Sequence, residues 1–260
     1  MRKTRKKPAQ SFSHKRVIDT LTGPMERRML RWLAVRLPGW VKPDMLTGAG
    51  FAGALIISAS YILAKQAPGF LWLAVAGFGL NWFGDSLDGT LARFRGIERP
   101  RYGYFLDHSM DALNEMLIFF GLGMSSYVHF EIAAIALVGY LLLTLYSSLS
   151  TYVAGEFKLS YAYLGPTEVR LIAVIASIWA FFDGPRLVQV FFGSFTVTEL
   201  IVLGLIVMFF STFFVSTAGQ ALRLDREDRP QVKKAVVATQ VKAVPRKSPF
   251  AAGTPQEPLK

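Results

Sequence analysis

Residues 85–111 read DSLDGTLARFRGIERPRYGYFLDHSMD, and long apolar stretches flank this segment on both sides. It contains four aspartates arranged as two pairs, Asp85 with Asp88 and Asp107 with Asp111. Residues three or four positions apart share a face of an α-helix, so each pair projects from one face. A carboxylate inside a membrane span costs about 2.5–3.5 kcal/mol on insertion scales, so these pairs need partners.

The chain as a whole is both apolar and basic. It has 260 residues, of which 52% are hydrophobic, with a formal charge of +11 and a mean hydropathy of +0.35. A disordered polyelectrolyte has too few apolar residues to match this composition, and a nucleic-acid-binding domain is less apolar on average. The absence of cysteine excludes disulfide scaffolds and Cys-ligated metal sites. The composition therefore predicts an integral membrane protein with no nucleic-acid partner.

Six apolar stretches are long enough to cross a bilayer, which needs about 20 residues per helix. They predict an all-α membrane protein with six transmembrane helices, at roughly 44–64, 69–91, 106–127, 131–153, 167–183 and 196–218. Residues 92–105 are predicted to be a cytoplasmic loop. This short connection makes the second and third helices antiparallel neighbours, so the two aspartate pairs face each other near one membrane boundary.

The basic residues indicate the orientation of these spans. With both termini in the cytoplasm, 27 of the 29 Lys and Arg residues lie on the cytoplasmic side, against Lys65 and Arg186 on the other. Cytoplasmic loops of membrane proteins are enriched in Lys and Arg. We therefore expect cytoplasmic N- and C-termini. No secretory-signal pattern precedes the first span, so we expect that span to be retained.

This layout predicts three regions. Residues 1–43 form a basic cytoplasmic N-terminus, in which 24–37 predicts an interfacial amphipathic helix lying on membrane lipids. The alternative for 24–37 is a connector that packs on the protein. Residues 44–219 form the six-helix membrane domain. Residues 220–260 are polar and rich in proline, which predicts a basic and largely disordered cytoplasmic tail.

Four facing carboxylates repel one another unless cations lie between them. Oxygen ligands without cysteine suit hard ions such as Mg²⁺ or Mn²⁺, and two divalent ions would balance four negative charges. Such ions would also hold a phosphate-rich substrate during phosphoryl transfer. The alternative is a surface charge network in which these acids pair with Arg93, Arg95, Arg99 and Arg101.

The stretch resembles the signature of the CDP-alcohol phosphotransferases, which is D-x-x-D-G-x-x-A-R, nine residues, then G-x-x-x-D-x-x-x-D. The resemblance implies a six-helix, usually homodimeric membrane enzyme with a cytoplasm-facing polar cavity. It implies that a CDP-linked alcohol reacts with an acceptor alcohol and releases CMP. By position it implies two divalent metals, Mg²⁺ or Mn²⁺, held by Asp85, Asp88, Asp107 and Asp111. Asp111 would also be the catalytic base, and the CDP site would include Gly89, Ala92, Arg93 and Gly103.

Two further segments resemble the family less closely. Pro43 to Thr47 is similar to the P-N-x-x-T entry to the first span, which implies that Thr47 reaches the nucleotide. Residues 165–168, GPTE, resemble a segment of some members, so Thr167 and Glu168 are candidates for the acceptor site. The alternative for both residues is an ordinary helix start. Glu115 extends the Asp107–Asp111 face by one turn and is a further acceptor candidate.

The substrate pair remains open at this level. We favour a phosphatidyltransferase of phospholipid biosynthesis in a prokaryotic plasma (inner) membrane, with CDP-diacylglycerol as donor and a small polar or phosphorylated alcohol as acceptor. The alternative is an aminoalcohol phosphotransferase that joins CDP-choline or CDP-ethanolamine to diacylglycerol. An intramembrane prenyltransferase would use Asn81 and Asp85 as an N-x-x-x-D motif, but its two motifs usually lie far apart in sequence. An ion transporter would need matching charges in other spans.

Overall fold

A computed structural model of the protein describes residues 15–17, 23–154, 156–158, 165–191 and 193–228. This part of the chain forms seven helices: α1 (Gly23–Arg36), α2 (Pro43–Leu63), α3 (Phe70–Arg95), α4 (Pro100–Gly123), α5 (Phe130–Ala154), α6 (Pro166–Asp183) and α7 (Val197–Asp228). Two small strand pairs accompany them. β1 (Lys15–Val17) is parallel to β2 (Glu156–Lys158), and β3 (Leu187–Val190) is antiparallel to β4 (Gly193–Thr196). The prediction of an all-α protein is confirmed, with these strands as a minor addition.

The two helices that carry the aspartates extend further toward each other than the sequence analysis predicts. The expected loop over 92–105 is wrong, because only residues 96–99 separate α3 from α4. Gly96 has a φ of 65° and ends α3 in the left-handed conformation that glycine adopts readily. Pro100 begins α4 in the first helical turn, where its missing N–H costs nothing. All four aspartates therefore lie within regular helix.

Among the residues that the structure describes, three helices are long and apolar enough to cross a membrane by length and composition, namely α2, α5 and α7. The first, fourth and sixth predicted spans correspond to them. The other three predicted spans correspond to α3, α4 and α6, which carry charged side chains within their helical length.

Helices α2 and α3 approach each other closely at glycines. A Cβ atom added to Gly84 would collide with the backbone of Gly50, and one added to Gly53 would lie 2.5 Å from the backbone nitrogen of Asn81. The Asn81 side chain donates a 2.9 Å hydrogen bond to the Gly50 carbonyl oxygen and is fully buried. This close contact fixes the part of α3 that precedes Asp85. It also gives Asn81 an interhelical role, which argues against the N-x-x-x-D alternative.

Helix α1 has two apolar faces. Leu30 and Ala34 are buried against Leu87 and Leu91 of α3, in a small core separate from the main one. On the other side, Met25 and Trp32 are 70% and 54% exposed. The helix thus packs on the protein, as the alternative interpretation requires, and keeps an outward apolar face of the kind that an interfacial helix needs.

The main core runs through α2 to α7. Its largest side chains include Ile57, Leu71, Phe78, Phe119 and Phe209, all buried. It stabilises the helices away from the aspartates and leaves the charged ends of α3 and α4 outside it.

A buried carboxylate joins the start of α7 to the turn between α4 and α5. Glu199 is 1% exposed, and its two carboxylate oxygens accept hydrogen bonds from the backbone nitrogens of His129 and Thr196. The Thr196 hydroxyl donates in turn to the carbonyl oxygen of Tyr127. Backbone groups that would otherwise be unpaired are satisfied here, so this end of the helices is held by polar contacts as well as packing.

The chain divides into two compact units, Met1–Thr217 and Ala218–Lys260. The described part of the second unit is helical as far as Asp228, so the prediction of a disordered tail over 220–260 is wrong for its first residues. An ion pair between Arg223 and Glu227, one helical turn apart, supports this extension. Residues 229–260, like 1–14 and 18–22, lie outside the described residues.

Replacing Gly84 by Ala tests the close contact between α2 and α3. We expect Gly84→Ala to lower the free energy of unfolding by about 1–3 kcal/mol, because the added methyl group overpacks the contact with Gly50. Gly79→Ala on the same helix is the control, since a Cβ at Gly79 has no heavy atom within 4 Å. Thermal unfolding in detergent micelles measures both. Equal unfolding temperatures for the two variants would contradict the close contact.

Candidate active site

Three carboxylates from two helices, α3 and α4, come together in one cluster. Asp85 comes from α3, and Asp107 and Asp111 come from α4. One ligand oxygen from each lies within 4.8 Å of the other two, and all three residues are half-buried. Oxygen donors from two rigid helices at this spacing match what Mg²⁺ or Mn²⁺ requires. The residues present therefore fit the metal role that the sequence suggests for them.

Arg170 of α6 is a site residue that the sequence analysis misses. Its Nη2 donates a 2.7 Å hydrogen bond to Oδ2 of Asp85, and the residue is only 8% exposed. Its Nε is buried and lacks a hydrogen-bond partner. The sequence does show an arginine inside an apolar stretch. Counting cytoplasmic charges uses that arginine only to orient the spans, so its possible role in a site is overlooked. The guanidinium of Arg170 thus compensates the charge of Asp85 in a buried position.

Asp88 is not part of this cluster and has hydrogen-bond partners of its own. The Thr47 hydroxyl of α2 donates a 2.6 Å hydrogen bond to Oδ2 of Asp88, and the backbone nitrogen of Gly89 donates to Oδ1. The structure thus places Thr47 against an aspartate of the predicted site and brings three of the four aspartates together.

The residues expected at the CDP site follow Asp88 along α3 and begin α4. Gly89 faces the guanidinium of Arg93, because a Cβ at Gly89 would lie 3.3 Å from its Nη1. Arg93 also donates to the Thr90 hydroxyl, and Ala92 is half-buried. Gly103 lies in the first turn of α4, where an added Cβ would meet open space.

The alternative interpretation is a surface charge network between the aspartates and four arginines. Two of those arginines have other partners among the described residues. Arg95 donates to the backbone carbonyl oxygens of Leu37, Pro38 and Val41. Arg99 pairs with Asp44 in the first turn of α2. Arg170, which bonds to Asp85 of the cluster, comes instead from α6.

The three acceptor candidates lie in different surroundings. Glu168 accepts a 2.8 Å hydrogen bond from the backbone nitrogen of Gly165, so it caps its own helix. The Thr167 hydroxyl donates to Glu26 of α1. Glu115 is 8% exposed and lines a mostly apolar cavity together with Arg170. The contact of Glu168 is therefore the one expected at an ordinary helix start.

A second cavity, of about 100 Å³, opens beside the aspartate cluster. Asp107 and Asp111 form one wall, and α5, α6 and α7 provide the others. Polar side chains that line it include His108, Tyr140, Thr144, Ser147 and Thr212. The cavity thus places hydroxyl-bearing side chains and two carboxylates around a mostly apolar space, a combination typical of small-molecule sites.

Replacing Arg170 by Gln tests the charge balance of the cluster. Without the guanidinium, Asp85 loses its bonded cation, so we expect Arg170→Gln to unfold at a lower temperature in EDTA. Mn²⁺ should then raise its unfolding temperature by more than that of the wild-type protein, because binding to the folded state stabilises it. Arg99→Gln is the control, since its partner Asp44 lies outside the cluster. Equal Mn²⁺ shifts in all three proteins would argue against a cation site at the carboxylates next to Arg170.

Comparison with known proteins places these features in a family. Residues 40–215 match the family described as CDP-alcohol phosphatidyltransferase. An archaetidylinositol phosphate synthase of Pyrococcus horikoshii is 31% identical over 54% of this chain and 70% of its own length. Cholinephosphotransferase 1 of Danio rerio is 25% identical over 59% of this chain and 41% of its own length.

A solved structure shares the fold. It is the crystal structure of Mycobacterium tuberculosis phosphatidylinositol phosphate synthase (PgsA1) with CDP-DAG bound, with a TM-score of 0.51 and 20% sequence identity. The match covers 75% of this chain and 90% of that one. The family match spans most of the chain and includes every aspartate of the cluster. The chain belongs to the CDP-alcohol phosphatidyltransferase family and is a transferase of substituted phosphate groups.

Proposed function

We propose that the protein transfers a phosphatidyl group from CDP-diacylglycerol to the hydroxyl of a small polar or phosphorylated alcohol, in phospholipid biosynthesis. The observation that carries the proposal is the cluster of Asp85, Asp107 and Asp111 inside a family match that spans residues 40–215. The donor is supported by the relatives. One is named an archaetidylinositol phosphate synthase, and the neighbour of like fold has CDP-DAG bound.

In this reaction the acceptor oxygen attacks the phosphorus that carries the diacylglycerol. A new P–O bond forms, the bond from that phosphorus to CMP breaks, and CMP leaves with the electron pair. The acceptor's proton goes to a carboxylate, for which we propose Asp111. Asp111 lines the cavity beside the cluster, and a positioned base of this kind contributes about 10²–10⁴-fold to a rate.

The remaining residues bind and orient. Two divalent cations, Mg²⁺ or Mn²⁺, would be held by Asp85, Asp88, Asp107 and Asp111 and would neutralise charge on the pyrophosphate. Thr47 orients Asp88 through its hydrogen bond and stands beside the proposed nucleotide site. That site would be lined by Gly89, Ala92, Arg93 and Gly103.

We propose the cavity beside Asp107 and Asp111 as the acceptor site. It approaches the cluster from α5, α6 and α7, whereas Thr47 and Asp88 belong to α2 and α3. Donor and acceptor would thus reach the carboxylates from different helices, which leaves room for the attacking and leaving oxygens on opposite sides of the phosphorus. Glu115, Thr167 and Glu168 are not among the described residues that line this cavity.

For the membrane arrangement we propose six spans with both termini in the cytoplasm, in a prokaryotic plasma (inner) membrane. The apolar lengths of α2, α5 and α7 support it, as does the strong bias of Lys and Arg to one side. α1 would lie at the membrane surface through its exposed apolar face. We retain the proposed regions 1–43 and 44–219 and a basic tail that follows α7. A homodimer remains the family-based expectation.

The aminoalcohol phosphotransferase remains the second candidate, because a cholinephosphotransferase is among the relatives. The GPTE segment supports it less than the sequence suggests. Glu168 caps α6 and Thr167 bonds to Glu26, so local structure accounts for both side chains.

CMP release from CDP-diacylglycerol, measured with a panel of acceptor alcohols, tests the function. We expect release that depends on acceptor and on Mg²⁺ or Mn²⁺, and a loss of at least about 100-fold in Asp111→Asn. Asp228→Asn, at the exposed end of α7, is the control and should behave as the wild type. Release only with CDP-choline or CDP-ethanolamine plus diacylglycerol would favour the second candidate. Full activity of Asp111→Asn would exclude it as the base.

A further inference from the structure

A single carboxylate oxygen on α1 collects hydrogen bonds from two other helices. Oε1 of Glu26 accepts from Nε1 of Trp82 at 2.8 Å and from the Ser86 hydroxyl at 3.3 Å, both on α3. It also accepts from the Thr167 hydroxyl of α6 at 3.0 Å. Glu26 is half-buried, and hydrogen bonds to a charged acceptor are stronger than those between neutral groups.

These contacts lie next to the aspartate cluster. Ser86 directly follows Asp85, and Thr167 precedes Arg170 by three residues, about one helical turn. Asp85 and Arg170 are themselves hydrogen-bonded. Helices α3 and α6 are therefore joined twice at the same level, once directly through this pair and once through Glu26.

Helix α1 is a firm support for Glu26. Leu30 and Ala34 pack on α3 in the middle of the helix. Just past its other end, the Arg95 guanidinium of α3 donates to the carbonyl oxygens of Leu37 and Pro38. A side chain supported in this way can hold a neighbouring site in place, because its own position is fixed by packing and hydrogen bonds.

We propose that Glu26 is a positioning residue of the transferase site. By bonding to Ser86 and Thr167 it fixes the spacing of α3 and α6, and so it keeps Asp85 against Arg170 within the aspartate cluster. The proposal rests on the metal role given to that cluster under the proposed function. It also links the surface helix to the reaction centre, because movement of α1 would reach Asp85 through one side chain.

The test compares Glu26→Ala with Glu26→Gln. Gln keeps an oxygen that can accept from the same donors, whereas Ala removes it. Mn²⁺ binding is measured without any substrate, from the electron paramagnetic resonance signal of free Mn²⁺. Loss of the groups that orient metal ligands costs about 10–100-fold in affinity. We expect Glu26→Ala to weaken Mn²⁺ binding by about 10-fold and Glu26→Gln to stay within about threefold of the wild type.

Glu131→Ala is the matched control, since Glu131 lies in the first turn of α5, as Glu26 does in α1. It should bind Mn²⁺ as the wild type does. If Glu26→Ala does not fold, the pair Ser86→Ala with Thr167→Val removes two donors and leaves α1 intact. This double variant should also bind Mn²⁺ more weakly than the wild-type protein.

Unchanged Mn²⁺ affinity in Glu26→Ala, or in the double variant where Glu26→Ala does not fold, would overturn the proposal. So would equal weakening by Ala and Gln at position 26, or a wild-type protein that binds no Mn²⁺. CMP release is followed in parallel. A wild-type protein that binds Mn²⁺ but releases no CMP with any acceptor would count against the proposed function and not against the role of Glu26.

Discussion

Mutual repulsion of Asp85, Asp107 and Asp111 is the constraint on which the rest of the site depends. Two like charges about 5 Å apart repel by about 3 kcal/mol at an effective dielectric constant of about 20. Divalent cations with oxygen ligands relieve such repulsion by binding between the carboxylates, in addition to the hydrogen bond that Arg170 donates to Asp85. The reaction proposed for the protein uses the same cations to bind a pyrophosphate.

The surrounding helices are built to maintain this unfavourable arrangement. Gly50 and Gly84 let α2 and α3 touch through their backbones, which fixes α3 just before Asp85. Near the end of α4 and the start of α7, the buried carboxylate of Glu199 satisfies backbone groups that packing alone would leave unpaired. The apolar core lies between these two polar regions. Strain from the repelling charges can thus be opposed by contacts on both sides of the core.

The sequence predicts the parts of the site that are local in the chain. The spacing of the aspartates defines helix faces. Six of the seven helices also correspond to predicted spans, although the observed and predicted boundaries differ by a few residues or more. The missed boundaries have local causes. Gly96 ends α3 and Pro100 begins α4. A prediction based on the length of apolar stretches does not use these two signals. The end of α7 is polar, so its helical pattern of opposite charges escapes the same analysis.

Arg170 and Glu26 could not be predicted in this way. Glu26 is the one acidic residue of α1 and Arg170 the one basic residue of α6, so neither forms a spacing pattern, and each acquires its role from helices far away in sequence. Arg170 meets Asp85 across 85 positions, and Glu26 meets Thr167 across 141. Such partners emerge only when α1, α3 and α6 are packed together. The fourth aspartate shows the same limit, because Asp88 accepts its hydrogen bond from Thr47 of another helix, 41 positions away.

Anomalous X-ray scattering from crystals grown with Mn²⁺ tests the central claim most directly. Data collected on either side of the manganese absorption edge locate Mn²⁺ without reference to activity or to the identity of the acceptor. The expected result is an anomalous peak within coordinating distance of Asp85, Asp107 and Asp111. A peak elsewhere, or a cluster that remains without manganese at millimolar Mn²⁺, would contradict a metal-dependent transferase site at these residues.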